Sequence, residues 1–351
     1  MPPVVDPGNL YSETRAGKLS PAASAALSRI YVPNLQSNDV YVIDPATRKV
    51  VDRFRVGVNP QHVVPSYDLK TLWVTNNAEG RTDGSLTPID PATGKPGKAI
   101  AVDDPYNMYF TPDGRSAVVV AEALKRLDFR DPQTMALQSS LEAPQCAGIN
   151  HADFSIDGRF VIFTCEFQGS LAKIDLVGRK ILGYLKLSKG GMPQDIRISP
   201  DGTTFFVADM KAGGVFLIDG DRFTETGFIK TGVGTHGLYP SRDGTKLYVA
   251  NRGSSRIHGP PHGKGSVSVI DFASRKIVTT WQIPGGGSPD MGNVSVDGKT
   301  LWLSGRYDNV VYAIDTATGA VTTIPVGKEP HGLAVWPQPG RYSLGHTGNM
   351  R

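Results

Sequence analysis

The stretch Asp153-Phe154-Ser155-Ile156-Asp157-Gly158 is one copy of a phrase that recurs through the chain, and a β-rich run, Phe160 to Phe163, follows it. Anchored on the Ser or its equivalent, consecutive copies lie 41 to 54 residues apart. The other six copies are at 63–68, 109–114, 197–202, 239–244, 293–298 and 334–337. Because Gly accepts positive φ without a Cβ penalty, each Asp-Gly predicts the tight turn of a hairpin between two short strands.

A second marker, an apolar residue followed by x-Ile-Asp or x-Leu-Asp, predicts the end of a third strand in every repeat. It ends at Asp44, Asp90, Asp128, Asp175, Asp219, Asp271 and Asp315. Four short antiparallel strands in each of seven repeats are typical of an all-β, seven-bladed β-propeller. The N-terminal runs from Ile30 lack a first strand and the last copy lacks its next three. One blade is therefore predicted to be shared by both termini, which closes the ring.

The chain of 351 residues is interpreted as an N-terminal arm (1–28), a propeller (29–336) and a C-terminal tail (337–351). The tail is expected as an extra strand edge or folded under the ring. With 39% hydrophobic residues and only two Cys, the composition excludes a disordered chain and a disulfide scaffold. The start, Met1 to Val5, is interpreted as a mature N-terminus from which a leader was removed.

The charge distribution argues against a nucleic-acid partner. Lys plus Arg is 37 and Asp plus Glu is 33, and these charges are scattered rather than clustered in a basic run. No stretch approaches 18 apolar residues, so no membrane span is predicted. Sequence motifs for a phosphate loop, a nucleophile elbow and a zinc-protease helix are missing. The expected partner is a small molecule bound by a monomer.

Three strand phrases carry a resemblance to a known family: Tyr31-Val32-Pro33-Asn34, Trp73-Val74-Thr75-Asn76 and Tyr248-Val249-Ala250-Asn251. Together with the Ser-x-Asp-Gly and Ile-Asp phrases, they resemble the YVTN-repeat propeller family over about residues 29–336. The resemblance implies a propeller and, because members are often exported, a periplasmic or extracellular location. It is not specific for activity, since such folds host lyases, lactonases, metal enzymes and scaffolds.

Candidate site residues follow from propeller topology, because first strands begin and second strands end at the same rim of the central channel. The residues that open first strands include four of the seven His, namely His62, His151, His236 and His331. Neutral imidazole is a common ligand of Zn, Cu and Fe, and these four are predicted metal ligands or acid/base groups. Mn is a further candidate. Glu166 and Asp195 are predicted to act with them as catalytic groups.

The alternative interpretation of these His is an ordinary polar rim. His236 and His331 fit a Pro-x-Gly or Pro-His-Gly opening that is common in such repeats. The two slots also differ by one residue along a strand, so ligation by two or three His is favoured over ligation by four. Predicted substrate contacts are Asn107, Asn251, Arg252, Arg306, His258 and His262, the last two in a loop expected to cover the channel.

Two hypotheses for function follow. The first is a small-molecule enzyme, a lyase, isomerase or oxidoreductase, with a His-lined site at the channel mouth and an anionic or polar substrate held by the two Arg. The second is a non-catalytic propeller that binds a ligand or a partner protein. A disulfide between Cys146 and Cys165 is favoured over free thiols or metal ligation, because strand pairing places them close together in an exported chain.

Overall fold

The structure is a computed structural model that describes residues 1–257 and 263–351. Seven antiparallel sheets form the blades of a β-propeller, as predicted from the repeat. The innermost strands are Pro60–Pro65, Pro105–Phe110, Ile149–Phe154, Pro193–Ile198, Thr235–Pro240 and Pro289–Val294, with the short Ala334–Trp336 completing the ring. The second strands are Arg29–Asn34, Leu72–Asn76, Ala117–Ala121, Val161–Cys165, Thr204–Asp209, Lys246–Asn251 and Thr300–Gly305.

The two outer layers of each blade complete the described sheets. The third strands are Asp39–Asp44, Ser85–Asp90, Arg126–Arg130, Ser170–Asp175, Gly214–Asp219, Ser266–Asp271 and Val310–Asp315. The outermost strands are Lys49–Arg55, Lys95–Pro96 with Ile100–Ala101, Leu137–Glu142, Lys180–Lys186, Thr224–Lys230, Lys276–Gln282 and Val321–Pro325. Three short 3-10 helices are Ser12–Thr14, Pro21–Ala23 and Glu166–Gln168. No helix in the described residues is long and apolar enough to cross a membrane.

The recurring Ser-x-Asp-Gly phrase forms the turn between first and second strands. In the copy at 155–158, the Ser155 hydroxyl donates to Asp157 Oδ1 at 2.9 Å, and the same oxygen accepts the Arg159 N–H. Gly158 has φ +71°, where a Cβ would be strained. The phrase therefore recurs because each blade needs the same tight, self-capped turn.

The ring closes as the sequence predicted, by one sheet built from both termini. Arg29 pairs with Trp336 and Tyr31 with Ala334, so the last strand lies beside the first. Between blades, aromatic side chains fill the core; Tyr109 and Phe163, for example, lie 5.5 Å apart edge to face. Burying each such ring contributes roughly 1.5–3 kcal/mol. This closed core holds the channel-lining strands in fixed positions.

The C-terminal tail does not add a strand edge. It enters the central channel from the face that carries the Asp-Gly turns. There the backbone N–H of His346 donates to the Met108 carbonyl, and Asn349 Nδ2 donates to the Ala152 carbonyl. Arg351 pairs with the buried Asp153 at 2.6 Å. Beneath it, Tyr11 of the N-terminal arm donates its hydroxyl to the Ile198 carbonyl. The tail and arm therefore close one end of the channel.

Cys146 and Cys165 form a disulfide, as favoured from the sequence. It links the segment before the Ile149–Phe154 strand to the end of Val161–Cys165. Both Cys are fully buried. The bond therefore fixes the channel-side end of one hairpin, directly before Glu166.

Candidate active site in the channel mouth

A polar cavity of about 50 Å³ lies at the open end of the channel, enough for a few water molecules or a small ligand group. Its walls are made by the residues that open first strands and those that follow second strands, the two sets predicted to meet. The lining residues are Gln61, Asn77, Glu79, Tyr106, Glu122, Glu166, Phe167, Gln194, His236, Arg252, Ile257, Arg306 and His331.

The four predicted His lie in a ring around the channel axis at the inner end of this cavity. Ring centroids are 5.4 Å apart for His62 and His151, 6.0 Å for His151 and His236, 5.7 Å for His236 and His331, and 5.0 Å for His331 and His62. All four are buried. The structure therefore brings together side chains from four different blades.

All four predicted His face the channel although their two slots lie one residue apart along a strand, and strand irregularity explains why. The pairing of first and second strands shifts register between Pro60 and His62, and between Thr235 and Leu238. Such bulges turn the side chains of the strand opening away from strict alternation. Residues one place apart in the repeat can consequently both face the channel.

A fifth imidazole, His346 of the tail, completes the cluster and was missed from the sequence. Its ring centroid is 4.9 Å from that of His151 and 5.3 Å from that of His62. His62, His151 and His346 each offer a ring nitrogen, and these three atoms lie within 4.8 Å of one another. Nothing in the repeat pattern marks His346, because it lies beyond the closing strand.

In His62 and in His331, Nδ1 has a hydrogen-bond partner and Nε2 has none among the residues that the structure describes. His62 Nδ1 lies 2.9 Å from the Tyr106 carbonyl oxygen and His331 Nδ1 lies 2.8 Å from Asp290 Oδ2. Since a carbonyl and a carboxylate only accept, both rings carry their proton on Nδ1 and a lone pair on Nε2. Within the described residues, Nε2 of His62, His151 and His331 has no hydrogen-bond partner, and Nε2 of His346 lies 3.5 Å from Asp195 Oδ1. Buried nitrogens without partners are costly unless a ligand uses them.

Burial keeps these imidazoles neutral. Desolvation, and then the neighbouring His, hold the pKa of His62 and of His151 well below the ordinary value. Burial lowers the pKa of His331 to about 3, and burial with Arg252 lowers that of His236 to about 4. Neutral imidazole is the form that ligates a metal.

Asp290 lies behind the cluster and contacts four charged or titratable side chains. Its Oδ1 lies 2.9 Å from both Arg252 Nη2 and His236 Nδ1, and its Oδ2 lies 3.9 Å from Arg306 Nη1. Burial alone would raise the pKa of Asp290, but Arg252, His236 and His331 hold it well below the usual range. The carboxylate is therefore ionised and positions two imidazoles, in the manner of a carboxylate that orients a metal-ligating His.

The two Arg predicted to hold a substrate do line the cavity, but each is already paired. Arg252 pairs with Asp290, and Arg306 Nη2 lies 3.1 Å from Glu329 Oε1. Because Asp290 and Glu329 pair with these Arg, a substrate anion would share the guanidinium groups with the two carboxylates.

Two carboxyl groups, Glu122 and Glu166, face the cavity from adjacent blades. Burial, and then the charge of Glu166, raise the pKa of Glu122 well above its ordinary value, and burial also raises the pKa of Glu166. Asn150 Nδ2 donates to Glu166 Oε2 at 2.8 Å. A carboxyl with a raised pKa can hold and release a proton close to neutral pH.

Three other predicted site residues lie away from the cavity lining. Asn251 is buried between strands, where its amide bonds Thr235, Ser266 and Ser268. Asp195 lies deeper in the channel and pairs with Arg197 at 2.7 Å. Asn107 lies in the channel at the His cluster rather than at the mouth. His258 and His262 lie outside the described residues.

Comparison with known proteins identifies the family. The family model for the YNCE-like beta-propeller matches residues 5–339. The chain belongs to the YNCE-like beta-propeller family. The protein YncE of Salmonella typhi is 24% identical over 282 residues, covering 76% of this chain and 74% of its own.

Many solved structures share the fold of this YNCE-like propeller, and two of them serve as examples. Hydrazine synthase of Kuenenia stuttgartiensis superposes with a TM-score of 0.63 at 19% identity, covering 86% of this chain and 94% of its own. The dihydro-heme d1 dehydrogenase NirN in complex with DHE gives a TM-score of 0.62 at 15% identity, covering 92% and 77%. At these identities the likeness extends to architecture only.

Proposed function

We propose that this YNCE-like propeller is a metal-dependent enzyme that acts on a small polar molecule at the channel mouth. The observation that carries the proposal is the convergence of five buried, neutral imidazoles whose Nε2 atoms, in three cases, have no partner in the described part of the chain. His62, His151 and His346 would hold the ion, with His331 beside them. Imidazole donors favour Zn, Cu, Fe or Ni over Mg or Ca.

The donor set fits such an ion. Zn–N bonds of about 2.0–2.1 Å require imidazole nitrogens about 3.4 Å apart in a tetrahedral site, and the three nitrogens lie within 4.8 Å. The Tyr106 carbonyl and Asp290 fix the tautomer of His62 and His331 from behind.

When bound, the ion would supply Lewis acidity or redox chemistry next to the cavity. The chain's own groups supply proton transfer, because Glu122 and Glu166 face the cavity with raised pKa values. Arg252 and Arg306 orient a polar or anionic substrate while they stay paired with Asp290 and Glu329. This combination favours a lyase or isomerase reaction over an oxidation, because one carboxylate can accept a proton from the substrate while the other, protonated, carboxyl gives one to the leaving group or back to the substrate.

The test is metal analysis of protein purified without a His tag, followed by titration with Zn²⁺ and Cu²⁺. We expect one tightly bound ion per chain, and a loss of at least tenfold in affinity for His62→Ala, His151→Ala and His346→Ala. His236→Ala is the matched control, since His236 belongs to the same circle of four blade His but is not one of the three proposed ligands. Absence of stoichiometric binding, or equal affinity in all four variants, would reject the metal centre.

The disulfide supports the proposal that the protein is exported. Disulfides persist in the periplasm and outside the cell and are rare in the cytosol, and both Cys of this chain are paired. Thiol titration of unfolded protein isolated from its native cells should find no free thiol. Two free thiols per chain would instead indicate a reducing compartment.

A further inference from the structure

One amide, that of Asn107, contacts two imidazoles of the cluster at once. Asn107 Nδ2 lies 3.0 Å from His346 Nδ1 and 3.3 Å from His151 Nδ1. The other end of the amide, Oδ1, accepts the Met108 N–H at 2.8 Å. Asn107 and both His are completely buried. The amide therefore links the tail to two blades within the candidate metal site.

The orientation of this amide decides where the imidazole protons are. An amide nitrogen only donates, so Nδ1 of His151 and of His346 must accept, and each neutral ring then carries its proton on Nε2. Asp195 is consistent with this tautomer, because its Oδ1 lies 3.5 Å from His346 Nε2. His62 and His331 have the opposite tautomer, since their Nδ1 atoms face the Tyr106 carbonyl and Asp290 Oδ2.

The tautomer bears directly on ligation. A protonated Nε2 has no lone pair for a metal, and the Nδ1 lone pairs of His151 and His346 are already directed at Asn107. A half-turn of the Asn107 amide would place Oδ1 where it can accept Nδ1–H from both rings. Both Nε2 lone pairs would then be available to an ion. The half-turn sacrifices the bond to the Met108 N–H.

We propose that Asn107 is a positioning residue that holds His151 and His346 in the Nε2–H tautomer when no metal is bound and turns its amide when the ion enters. The metal part of this proposal rests on the proposed function. The tautomer part does not, since it concerns the metal-free protein alone.

Long-range ¹H–¹⁵N NMR of His-labelled, metal-free protein tests the first part, because it distinguishes Nδ1–H from Nε2–H rings. We expect Nε2–H for His151 and His346 and Nδ1–H for His62 and His331, with assignment by single His→Gln variants. In Asn107→Asp, whose carboxylate only accepts, His151 and His346 should change to Nδ1–H. Nδ1–H on either ring in the wild-type protein would overturn the proposal.

Titration with Zn²⁺ tests the second part. Asn107→Asp should bind Zn²⁺ at least tenfold more tightly than wild type, since no amide has to turn, and His151 and His346 of Zn-loaded wild type should be in the Nδ1–H form. Asn293→Asp is the control, because its Oδ1 also accepts the next N–H, at 2.7 Å, while its Nδ2 contacts Gln338 and Thr347 and no imidazole.

The outcomes separate the two proposals. If wild type binds no Zn²⁺ but shows the expected tautomers, the proposed metal function fails and the positioning role of Asn107 stands. If Zn²⁺ binds equally to wild type, Asn107→Asp and Asn293→Asp while His151 and His346 stay Nε2–H, the positioning role is rejected and the metal centre is not.

Discussion

His331 Nδ1 lies 2.8 Å from Asp290 Oδ2, and this contact joins the cluster of buried His to a network of buried charges. The same carboxylate lies 2.9 Å from Arg252 and from His236 through Oδ1. Asp290 thus sets the proton position on one imidazole and balances the charge of one guanidinium. Asp290 therefore links two imidazoles of the cluster to Arg252 in the wall of the cavity.

Replacement of Asp290 by Asn should damage both stability and metal binding. The Arg252 charge would remain buried without its carboxylate, a loss of about 3–5 kcal/mol in the free energy of unfolding. The affinity for Zn²⁺ should also fall, because a neutral amide would replace the charged acceptor of His331, which lies beside the three proposed ligands. Urea denaturation and Zn²⁺ titration measure the two effects. The exposed Asp83→Asn, which removes only a surface pair with Arg81, should change neither.

The buried imidazoles should destabilise the protein in acid. The pKa of His331 is about 3 in the folded protein and near 6.5 when unfolded, so between these values the unfolded chain binds one proton more. Stability from this group is complete above pH 6.5 and is lost as pH falls toward 3, by up to about 1.4 kcal/mol per pH unit.

His331→Asn isolates that contribution, because Asn keeps a donor for Asp290 but does not titrate. The wild type minus variant difference in unfolding free energy should fall with acidification between pH 6.5 and 3, and should be flat above pH 7. A difference that is constant over the whole range would mean that His331 is not kept neutral by burial. Denaturant unfolding at a series of pH values supplies the measurement.

Gly332 should be essential for the position of His62. A Cβ built on Gly332 would lie 2.2 Å from His62 Cδ2 and 2.9 Å from the Gln61 carbonyl oxygen. Gly332→Ala must therefore displace the imidazole or the strand, at a cost of about 1–3 kcal/mol. We expect weaker Zn²⁺ binding along with a lower Tm. Gly183→Ala is the control, because the Cβ there meets nothing closer than 3.9 Å. Unchanged Zn²⁺ affinity in Gly332→Ala would show that His62 is not a ligand of the metal ion.

Loss of the disulfide should lower stability without removing the cluster. Cys146 and Cys165 are 19 residues apart, and closing a loop of that size stabilises a fold by about 3 kcal/mol in the chain-entropy model. The free energy of unfolding of the double variant Cys146→Ala/Cys165→Ala should be lower by that amount, so the variant should unfold at a lower urea concentration. Zn²⁺ affinity should stay within about threefold of wild type, since the polar partners of the described cluster include Tyr106, Asn107, Asp195 and Asp290 and neither Cys. A reducing agent should have no further effect on the variant, whereas it should reproduce the loss in wild type.

Much of the candidate site could be predicted because repeat position determines place in a propeller. His62, His151, His236 and His331 each open a first strand, and all four were placed at one rim on that ground alone. Arg252 and Arg306, which directly follow second strands, reach the same cavity for the same reason. The periodic turns therefore carried information about sites as well as architecture.

The residues that sequence analysis misplaced depend on side-chain direction or on the path of the tail. Asn251 ends a second strand as expected, but its amide turns into the blade toward Thr235 and Ser268. The bulges that let adjacent slots share the channel leave no mark in the repeat. His346 lies outside the repeat altogether, so no periodic signal could locate it.

The seven blades, the closure of the ring and the four blade imidazoles follow from the amino-acid sequence, because strand turns and termini are local properties that recur along the chain. The fifth imidazole and the proton positions in the cluster follow from tertiary packing. Those depend on the contacts of Asn107 with His151 and His346, which come from two blades and the tail. Contacts among segments so distant in the chain are set by tertiary packing, which leaves no periodic pattern in the sequence.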